Sequence, residues 1–192
     1  MNLKGVIFDM DGTIVDVPYD WDRIKSELMT RGKPILSHIE SLKEPERSEK
    51  WKTLERYEDK ATQKAELKQG MREFINFLDS KGVKKALVSN NSRKNVSFLL
   101  HKFHLKFDCV ITRESGLWKP SGAPILAALK KIGLSQDESC VVGDSHFDIK
   151  AASEAGIEKI FIISEEKEKF ISKEIEVVHS VLALKTKIEK LL

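Results

Sequence analysis

The stretch GVIFDMDGTIVD, residues 5–16, decides the fold of this protein. It begins with a short apolar run, Val6–Phe8, which ends at two aspartates, Asp9 and Asp11, followed by Gly12. A short apolar run bounded by turn-forming residues is typical of a buried strand. In an extended segment residues i and i+2 point the same way, so we expect the two carboxylates on one side of the chain.

Three explanations of this carboxylate pair are open at this point: a surface turn, a calcium loop and an active site. Asp and Gly are common in surface turns because both tolerate turn conformations. A helix-loop-helix calcium loop requires Gly at its sixth position and Glu at its twelfth. Here Gly12 directly follows Asp11 and the twelfth position is Asp20, so that pattern fails. The rest of the chain has to decide between a turn and an active site.

The composition argues against several classes of protein. The 192 residues suffice for one domain of ordinary size or for a core with a small insert. With 33 basic and 30 acidic residues, the net charge of +3 does not indicate a nucleic-acid-binding protein. No apolar stretch reaches the about 18 residues of a membrane span, and the N-terminus enters a strand at once. We therefore expect neither a membrane protein nor a signal peptide.

The two cysteines, Cys109 and Cys140, each lie inside an apolar run. Small buried core residues are the simplest interpretation, because a metal site or a disulfide would need more thiols or a paired spacing. A cytoplasmic location is the resulting expectation.

Alternation of strands and helices over residues 70–156 predicts an α/β fold, a doubly wound parallel sheet flanked by helices. Five apolar runs are the predicted strands: Val6–Phe8, Lys85–Ser89, Cys109–Thr112, Cys140–Gly143 and Lys159–Ile163. Apolar residues at helical spacing separate most of them. A short edge strand at residues 177–178 and an amphipathic closing helix over residues 181–191 complete the prediction.

The segment from residue 16 to residue 69 interrupts the alternation because it contains no evident strand. Helical spacing predicts three helices there: one near Trp21 to Leu28, one from Pro34, and one from Trp51 to Ala65. We therefore predict a core domain of residues 1–15 and 70–192, and a small all-helical cap domain of residues 16–69 inserted after the first strand. The alternative is a helical layer packed on the sheet, with no gating role.

Polar side chains follow four of the predicted strands, which is where open parallel sheets bind ligands. They are Asp9 and Asp11 at the end of the first strand, Ser89, Asn90 and Asn91 at the end of the second, Lys119 after the third, and Asp144 and Asp148 at the end of the fourth. Four carboxylates at one edge would repel one another unless a cation lay among them. Mg²⁺ fits, because it takes one or two carboxylates and keeps water and phosphate oxygens as its other ligands.

The motifs DMDGT, SNN, KPS and GDSHFD, in this order and each at a strand end, resemble those of the haloacid dehalogenase superfamily of phosphohydrolases. The resemblance runs from Asp9 to Asp148, with the insert in the place of that family's helical cap. It implies a Rossmann-like core, Mg²⁺ as cofactor and a small phosphorylated metabolite as substrate. The chain is similar to phosphoglycolate phosphatases, but its insert is shorter than their usual cap, which leaves the substrate open.

The resemblance also implies a role for each motif residue. Asp9 would be the nucleophile that forms an aspartyl-phosphate, and Asp11 would be the general acid and base. The residues that would bind the substrate phosphate are Ser89, Asn90 and Lys119. The residues that would hold the metal are Asp9, Met10 through its carbonyl, Asp144 and Asp148.

We therefore expect a Mg²⁺-dependent hydrolase of phosphomonoesters, with phosphoglycolate as one candidate substrate. Dehalogenases and phosphonoacetaldehyde hydrolases lack the second aspartate, so the presence of Asp11 argues against both. A sugar-phosphate mutase of the β-phosphoglucomutase type stays open, although no histidine follows closely after the first motif. A non-catalytic binding module also stays open, although no acidic motif residue is missing. Neither a nucleic acid nor a membrane is an expected partner.

Overall fold

A computed structural model gives the structure of the protein and describes residues 2–166, 170 and 175–192. Its strands are, in chain order, β1 Gly5–Phe8, β2 Val15–Asp16, β3 Glu66–Leu67, β4 Lys84–Val88, β5 Cys109–Ile111, β6 Ser139–Gly143, β7 Ile160–Ile163 and β8 Ile175–Val178. Its helices are α1 Trp21–Leu28, α2 Ile35–Glu40, α3 Glu46–Gln63, α4 Met71–Ser80, α5 Arg93–Lys102, α6 Ala123–Ile132, α7 His146–Glu154 and α8 Val181–Glu189, with a 3-10 helix at Arg113–Ser115. Two compact units result: Met1–Asp16 with Glu66–Leu192, and Val17–Ala65.

The first unit is built on a six-stranded sheet in the order β5-β4-β1-β6-β7-β8, in which every pairing is parallel. Helices α6 and α7 contact the sheet and each other, while α4 and α8 form a second contacting pair. The chain therefore winds in both directions from the central strand β1. The predicted α/β fold with a doubly wound parallel sheet is confirmed.

Alternation along β1 supplies side chains to both faces of the sheet. Ile7 belongs to a buried cluster that includes Ile125 and Leu129 of α6. The neighbouring Phe8 packs edge-on against Phe74 of α4, with ring centroids 6.0 Å apart. Each such fully buried side chain stabilises the fold by roughly 1.5–3 kcal/mol. The strand is thus fixed from both sides, which holds the residues that follow it in place.

A short ribbon corrects one prediction. Strands β2 and β3 pair antiparallel, with Val15 opposite Leu67 and Asp16 opposite Glu66. Lys68 adds an ion pair to Asp16, with 2.5 Å between its Nζ and Oδ1. The expectation that residues 16–69 contain no strand is therefore wrong. Strands of two residues are too short to produce a periodic apolar pattern, and their partners lie far apart along the chain.

The second unit consists of α1, α2 and α3, and both shorter helices contact α3. The side chain of Asp20 caps α1, because its Oδ1 accepts a hydrogen bond from the backbone N–H of Arg23 at 3.0 Å. Glu27 of α1 accepts a hydrogen bond from Tyr57 of α3 and forms an ion pair with Arg56 at 2.7 Å. These contacts join the first and third helices of the unit.

Candidate active site

The register of the sheet brings the ends of three neighbouring strands to one level. Phe8 of β1 lies opposite Leu87 of β4 and Val142 of β6. The backbone N–H of Asp9 continues the ladder and donates to the carbonyl of Val142 at 2.9 Å. Asp9, Ser89 and Asp144 each follow the last residue of their strands, so the fold collects them at one edge.

Lys119 joins two of the predicted site aspartates. Its Nζ lies 2.7 Å from Oδ1 of Asp9 and 2.5 Å from Oδ1 of Asp148. The side chains of Lys119 and Asp148 are only 4% and 1% exposed. Burial alone would lower the pKa of Lys119, but the charges of Asp148 and Asp9 outweigh it and raise that pKa above its ordinary value. The lysine is therefore held as a cation between the first and fourth motifs.

Asp148 also organises the loop that follows β6. Its Oδ2 accepts hydrogen bonds from the backbone N–H of Asp144 at 3.2 Å and of Ser145 at 3.0 Å. The Ser145 hydroxyl donates to the same oxygen at 2.6 Å, and the pair forms a capping box for α7. A Cβ at Gly143 would lie 2.4 Å from the Asp148 side chain, so only glycine fits there. The motif GDSHFD thus encodes a fixed loop as well as acidic groups.

Gly12 allows the first and fourth motifs to come together. Its φ is +81°, and a Cβ at this position would lie 2.1 Å from Oδ2 of Asp144. Thr13 donates a long hydrogen bond of 3.5 Å to Oδ1 of the same carboxylate. The glycine after the aspartate pair is therefore required both by its positive φ and by the close approach of Asp144.

The carboxylates of Asp9, Asp144 and Asp148 form a cluster that fits a divalent cation. One oxygen of each lies within 4.8 Å of the others. Burial raises the pKa of Asp9 well above its ordinary value, and Lys119 opposes that rise. Burial, together with the charge of Asp148, raises the pKa of Asp144 to about 7. Fully ionised, the three carboxylates would carry more negative charge than Lys119 balances, and their all-oxygen donor set is the one Mg²⁺ prefers.

Met10, the predicted carbonyl ligand, has a different set of partners. Its oxygen accepts backbone hydrogen bonds from Thr13 at 3.3 Å, Ile14 at 2.9 Å and Val15 at 3.1 Å. These three hydrogen bonds close the turn after Asp9. That the same carbonyl also binds the metal stays a prediction.

Ser89 and Asn90 are predicted to bind the phosphate, and their side chains have different hydrogen-bond partners in the structure. The buried hydroxyl of Ser89 accepts from the backbone N–H of Asn91 at 3.1 Å, which leaves its own hydrogen to donate. The Asn90 amide nitrogen donates to the Lys119 carbonyl at 2.8 Å, and its oxygen accepts from the Lys119 N–H at 2.8 Å. Both ends of the Asn90 side chain therefore hold the backbone of the lysine.

Glu114 was not singled out from the sequence, yet it ties the loop before Lys119 to the start of α5. Its carboxylate accepts from the backbone N–H of Arg93 at 3.0 Å and from the Thr112 hydroxyl at 2.7 Å. Burial would raise the pKa of Glu114, but these hydrogen bonds lower it below its ordinary value. The sequence contains only an indirect signal for this role. A helix N-terminus is stabilised by a nearby acidic group. The first turn of α5 contains no acidic residue of its own, and Glu114 takes that place from another part of the chain.

Comparisons with known proteins agree with this geometry. A sequence profile of the haloacid dehalogenase-like hydrolases matches residues 25–162. A haloacid dehalogenase-like hydrolase domain-containing protein of Arabidopsis thaliana is 31% identical over 168 residues, which cover 80% of this chain and 68% of that protein. The chain belongs to the haloacid dehalogenase-like hydrolases. The expectation of an enzyme of this superfamily is confirmed.

Two relatives of this hydrolase have names that state a phosphohydrolase activity. Pyrophosphatase PpaX of Anoxybacillus flavithermus is 28% identical over 177 residues, 81% of each chain. A phosphorylated carbohydrates phosphatase of Thermotoga maritima is 28% identical over 184 residues, 83% of this chain and 84% of that one. A solved hydrolase of this superfamily from Ehrlichia chaffeensis shares the fold, with a TM-score of 0.69 at 24% identity over 99% of this chain and 98% of that chain.

The helices of this hydrolase also bear on the expected absence of a membrane span. Among the described residues, none of the helices combines the length and the apolar character that crossing a bilayer requires.

Proposed function

We propose that this chain is a Mg²⁺-dependent phosphatase that hydrolyses a small phosphorylated metabolite through an aspartyl-phosphate on Asp9. The observation that carries the proposal is the position of Lys119, whose Nζ lies 2.7 Å from Oδ1 of Asp9 in a buried site. A cation beside the nucleophile can hold a phosphoryl oxygen where attack occurs. The second acid, Asp11, belongs to the same turn and can serve the leaving group.

The proposed reaction has two steps. In the first, a carboxylate oxygen of Asp9 attacks phosphorus, the bond to the leaving oxygen breaks, and Asp11 gives that oxygen its proton. In the second, Asp11 takes a proton from a water molecule that attacks phosphorus, which releases inorganic phosphate and restores the Asp9 carboxylate. Lys119 and the Ser89 hydroxyl would donate to phosphoryl oxygens in both steps.

The proposed metal ligands are Asp9, the Met10 carbonyl and Asp144, with Asp148 in an outer position. Asp148 already accepts four hydrogen bonds or ion-pair contacts, from Lys119, from the Asp144 N–H, and from the N–H and hydroxyl of Ser145. Asp9 contacts Lys119, and Asp144 accepts one long hydrogen bond from Thr13. When bound, Mg²⁺ would withdraw charge from the phosphoryl oxygens and make phosphorus more electrophilic.

The experiment that tests the proposal is hydrolysis of p-nitrophenyl phosphate by the full chain, with Mg²⁺ and after removal of divalent metal by a chelator. We expect release of p-nitrophenol that stops on chelation and returns with Mg²⁺. Activity that survives complete removal of metal would contradict the metal dependence. No activity in either condition would favour the non-catalytic binding module.

The substrate is to be decided by a screen of phosphorylated compounds. Phosphoglycolate and sugar phosphates belong in it, and the names of the relatives add pyrophosphate and phosphorylated carbohydrates. Conversion of a hexose 1-phosphate to its 6-phosphate, without release of phosphate, would favour the sugar-phosphate mutase instead. A hydrolase is expected to release phosphate from every substrate that it accepts.

We also propose that residues 16–69 act as a cap that selects the substrate. The insert begins a few residues after Asp11, so its attachment lies near the proposed acid along the chain. A lid that closes during reaction excludes water from a phosphoenzyme until the leaving group has departed. Trp21 and Met29, exposed residues of the second unit, are suitable positions for alanine substitution. We expect the ranking of substrates to change, and an unchanged ranking in both variants would favour a structural layer.

A cytoplasmic location is proposed as well. Cys109 and Cys140 are both free and buried, as in proteins of a reducing compartment. Fractionation of the source cells with an antibody against the chain tests this, and recovery outside the cytoplasm would contradict it.

A further inference from the structure

The second of the two asparagines after β4 contacts the proposed general acid. The amide nitrogen of Asn91 lies 3.0 Å from Oδ2 of Asp11. The Asn91 side chain is buried, and nothing in the sequence pattern assigned it a role. This bond is the starting point of an inference that rests on the proposed phosphatase function.

The orientation of the Asn91 amide is fixed by its other end. Its Oδ1 accepts from the backbone N–H of Ser92 at 2.7 Å and from the amide nitrogen of Asn95 at 3.3 Å. A backbone N–H can only donate, so the atom that faces Ser92 has to be the oxygen. The atom that faces Asp11 is therefore the NH₂ group, and a hydrogen bond runs from Asn91 to the carboxyl group.

The bond connects Asp11 to a rigid element. Ser92 is the N-cap of α5, and its hydroxyl accepts from the backbone N–H of Asn95 at 3.2 Å. A side chain held by the first turn of a helix has few positions open to it. The Asp11 carboxyl is thus anchored to α5, although it belongs to the turn after β1.

We propose that Asn91 is the positioning residue of the general acid. Its NH₂ donates to Oδ2 of Asp11, which favours the acidic hydrogen on Oδ1 and fixes the direction in which Asp11 gives it to the leaving oxygen. General acid catalysis depends on such alignment, and its contribution to rate is about 10²–10⁴-fold. Loss of the bond therefore slows the substrates that need a proton on the leaving group and spares those that do not.

Asn90 and Asn91 then have different tasks. Asn90 holds the backbone of Lys119 through two bonds of 2.8 Å, so its loss is expected to weaken phosphate binding for all substrates alike. Asn91 holds the proton donor, so its loss is expected to discriminate between leaving groups. The sequence SNN thus supplies one hydroxyl toward phosphate and two asparagines that position other groups.

The test compares kcat/KM for p-nitrophenyl phosphate, whose leaving group needs little protonation, with kcat/KM for glycerol 2-phosphate, whose leaving group is an alkoxide. This parameter reports the steps up to departure of the leaving group. The variants are Asn91→Ala and Asn91→Asp; the second keeps an oxygen toward Ser92 but has no N–H for Asp11. The ratio that we compare is kcat/KM for p-nitrophenyl phosphate divided by kcat/KM for glycerol 2-phosphate. We expect this ratio to rise about tenfold in both variants.

Ser92→Ala is the matched control, because it removes the cap of α5 and leaves the Asn91 side chain in place. We expect a lower Tm and an unchanged ratio. If the Asn91 variants lose activity equally on both substrates, Asn91 is only structural and the inference is wrong. If the wild-type chain hydrolyses neither substrate with Mg²⁺, the proposed function itself has failed.

A second measurement does not depend on the folding of any Asn91 variant. In the wild-type chain the side-chain NH₂ of Asn91 should show a ¹H–¹⁵N signal displaced by its bond to a carboxylate. Asp11→Ala should move that signal toward the range of a free amide. An Asn91 signal that does not change in Asp11→Ala would overturn the inference at its first step.

Discussion

The two edges of the same sheet each carry an ion pair between a lysine and a carboxylate, one exposed to water and the other buried. At the edge where the strands begin, Lys4 lies 2.6 Å from Glu138, and their side chains are 51% and 27% exposed. At the edge where the strands end, Lys119 lies 2.5 Å from Asp148, and their side chains are 4% and 1% exposed. Lys119 also contacts Asp9, whereas Lys4 pairs with Glu138 at the surface.

This contrast shows how burial changes what an ion pair does. An exposed pair is screened by water and contributes about 0–1 kcal/mol to stability. A buried pair is held in place by its neighbours, and loss of one partner leaves a charge that water cannot solvate. The exposed pair therefore joins the starts of β1 and β6, and at the other edge the buried lysine holds two carboxylates in a fixed arrangement.

The largest expected effect comes from removing the nucleophile at the buried edge. Asp9→Asn should lower turnover of p-nitrophenyl phosphate about a thousandfold or more and abolish phosphoenzyme, because an amide cannot attack phosphorus. Asp11→Asn should slow turnover strongly but still permit phosphoenzyme with this good leaving group. Steady-state rates and the mass of the acid-quenched protein measure both. Near-normal turnover by Asp9→Asn would mean that the nucleophile is another residue.

The next effect compares the two lysines directly. In metal-free buffer, loss of Lys119 leaves buried carboxylates without their cation, so Lys119→Met should lower the free energy of unfolding by about 3–5 kcal/mol. Lys4→Met removes the exposed pair and should change the free energy of unfolding far less than Lys119→Met does, because water screens that pair. Urea unfolding followed by circular dichroism measures both values. Equal losses in the two variants would remove the distinction between the edges.

Metal binding should stabilise only the edge with the carboxylate cluster. Mg²⁺ at about a hundred times its dissociation constant should raise the free energy of unfolding by about 2.7 kcal/mol, because it binds the folded chain alone. Thermal unfolding with and without Mg²⁺ reports this as a rise in Tm. Asp144→Asn should reduce the rise, and Glu138→Gln at the other edge should leave it unchanged. The same rise in both variants would place the ion elsewhere.

The smallest effect is the pH dependence of the exposed edge. The hydrogen bond and charge of Lys4, with hydrogen bonds from Ser135, lower the pKa of Glu138 from 4.5 to about 2. A lowered carboxyl pKa gives stability that is fully present above pH 4.5 and is lost as the pH falls toward 2. Glu138→Gln should therefore be slightly less stable than wild type at pH 7, and the gap should close near pH 2. Urea midpoints across this range measure it, and a gap that widens on acidification would contradict the assignment.

The sequence predicted the parts of the fold that depend on regular patterns. Apolar runs located the strands of the sheet to within about a residue at most ends, because buried parallel strands are nearly all apolar. The ribbon of β2 and β3 could not be found, since Val15 pairs with Leu67 across the whole insert. Pairing between distant short segments leaves no trace in local composition.

The candidate site shows the same limit. Motif order placed Asp9, Lys119 and Asp148 at one edge, and the structure brings them into contact. The partners of Asn90 and Met10 could not be deduced, because they depend on hydrogen bonds between loops that are distant in sequence. The roles of these site residues in catalysis stay predictions for the experiments above.

The pairing of Asp16 with Glu66 brings the two ends of the intervening segment side by side, so this segment can be exchanged as a unit. A two-residue Asn-Gly turn can join neighbouring antiparallel strands, so residues 17–65 could be replaced by a tight hairpin without displacing β1 or β4. Evolution could in the same way lengthen, swap or discard this segment while the catalytic sheet stays as it is. A shortened chain of this kind should still unfold in one cooperative transition. Loss of that transition would show that the segment is needed for the sheet to form.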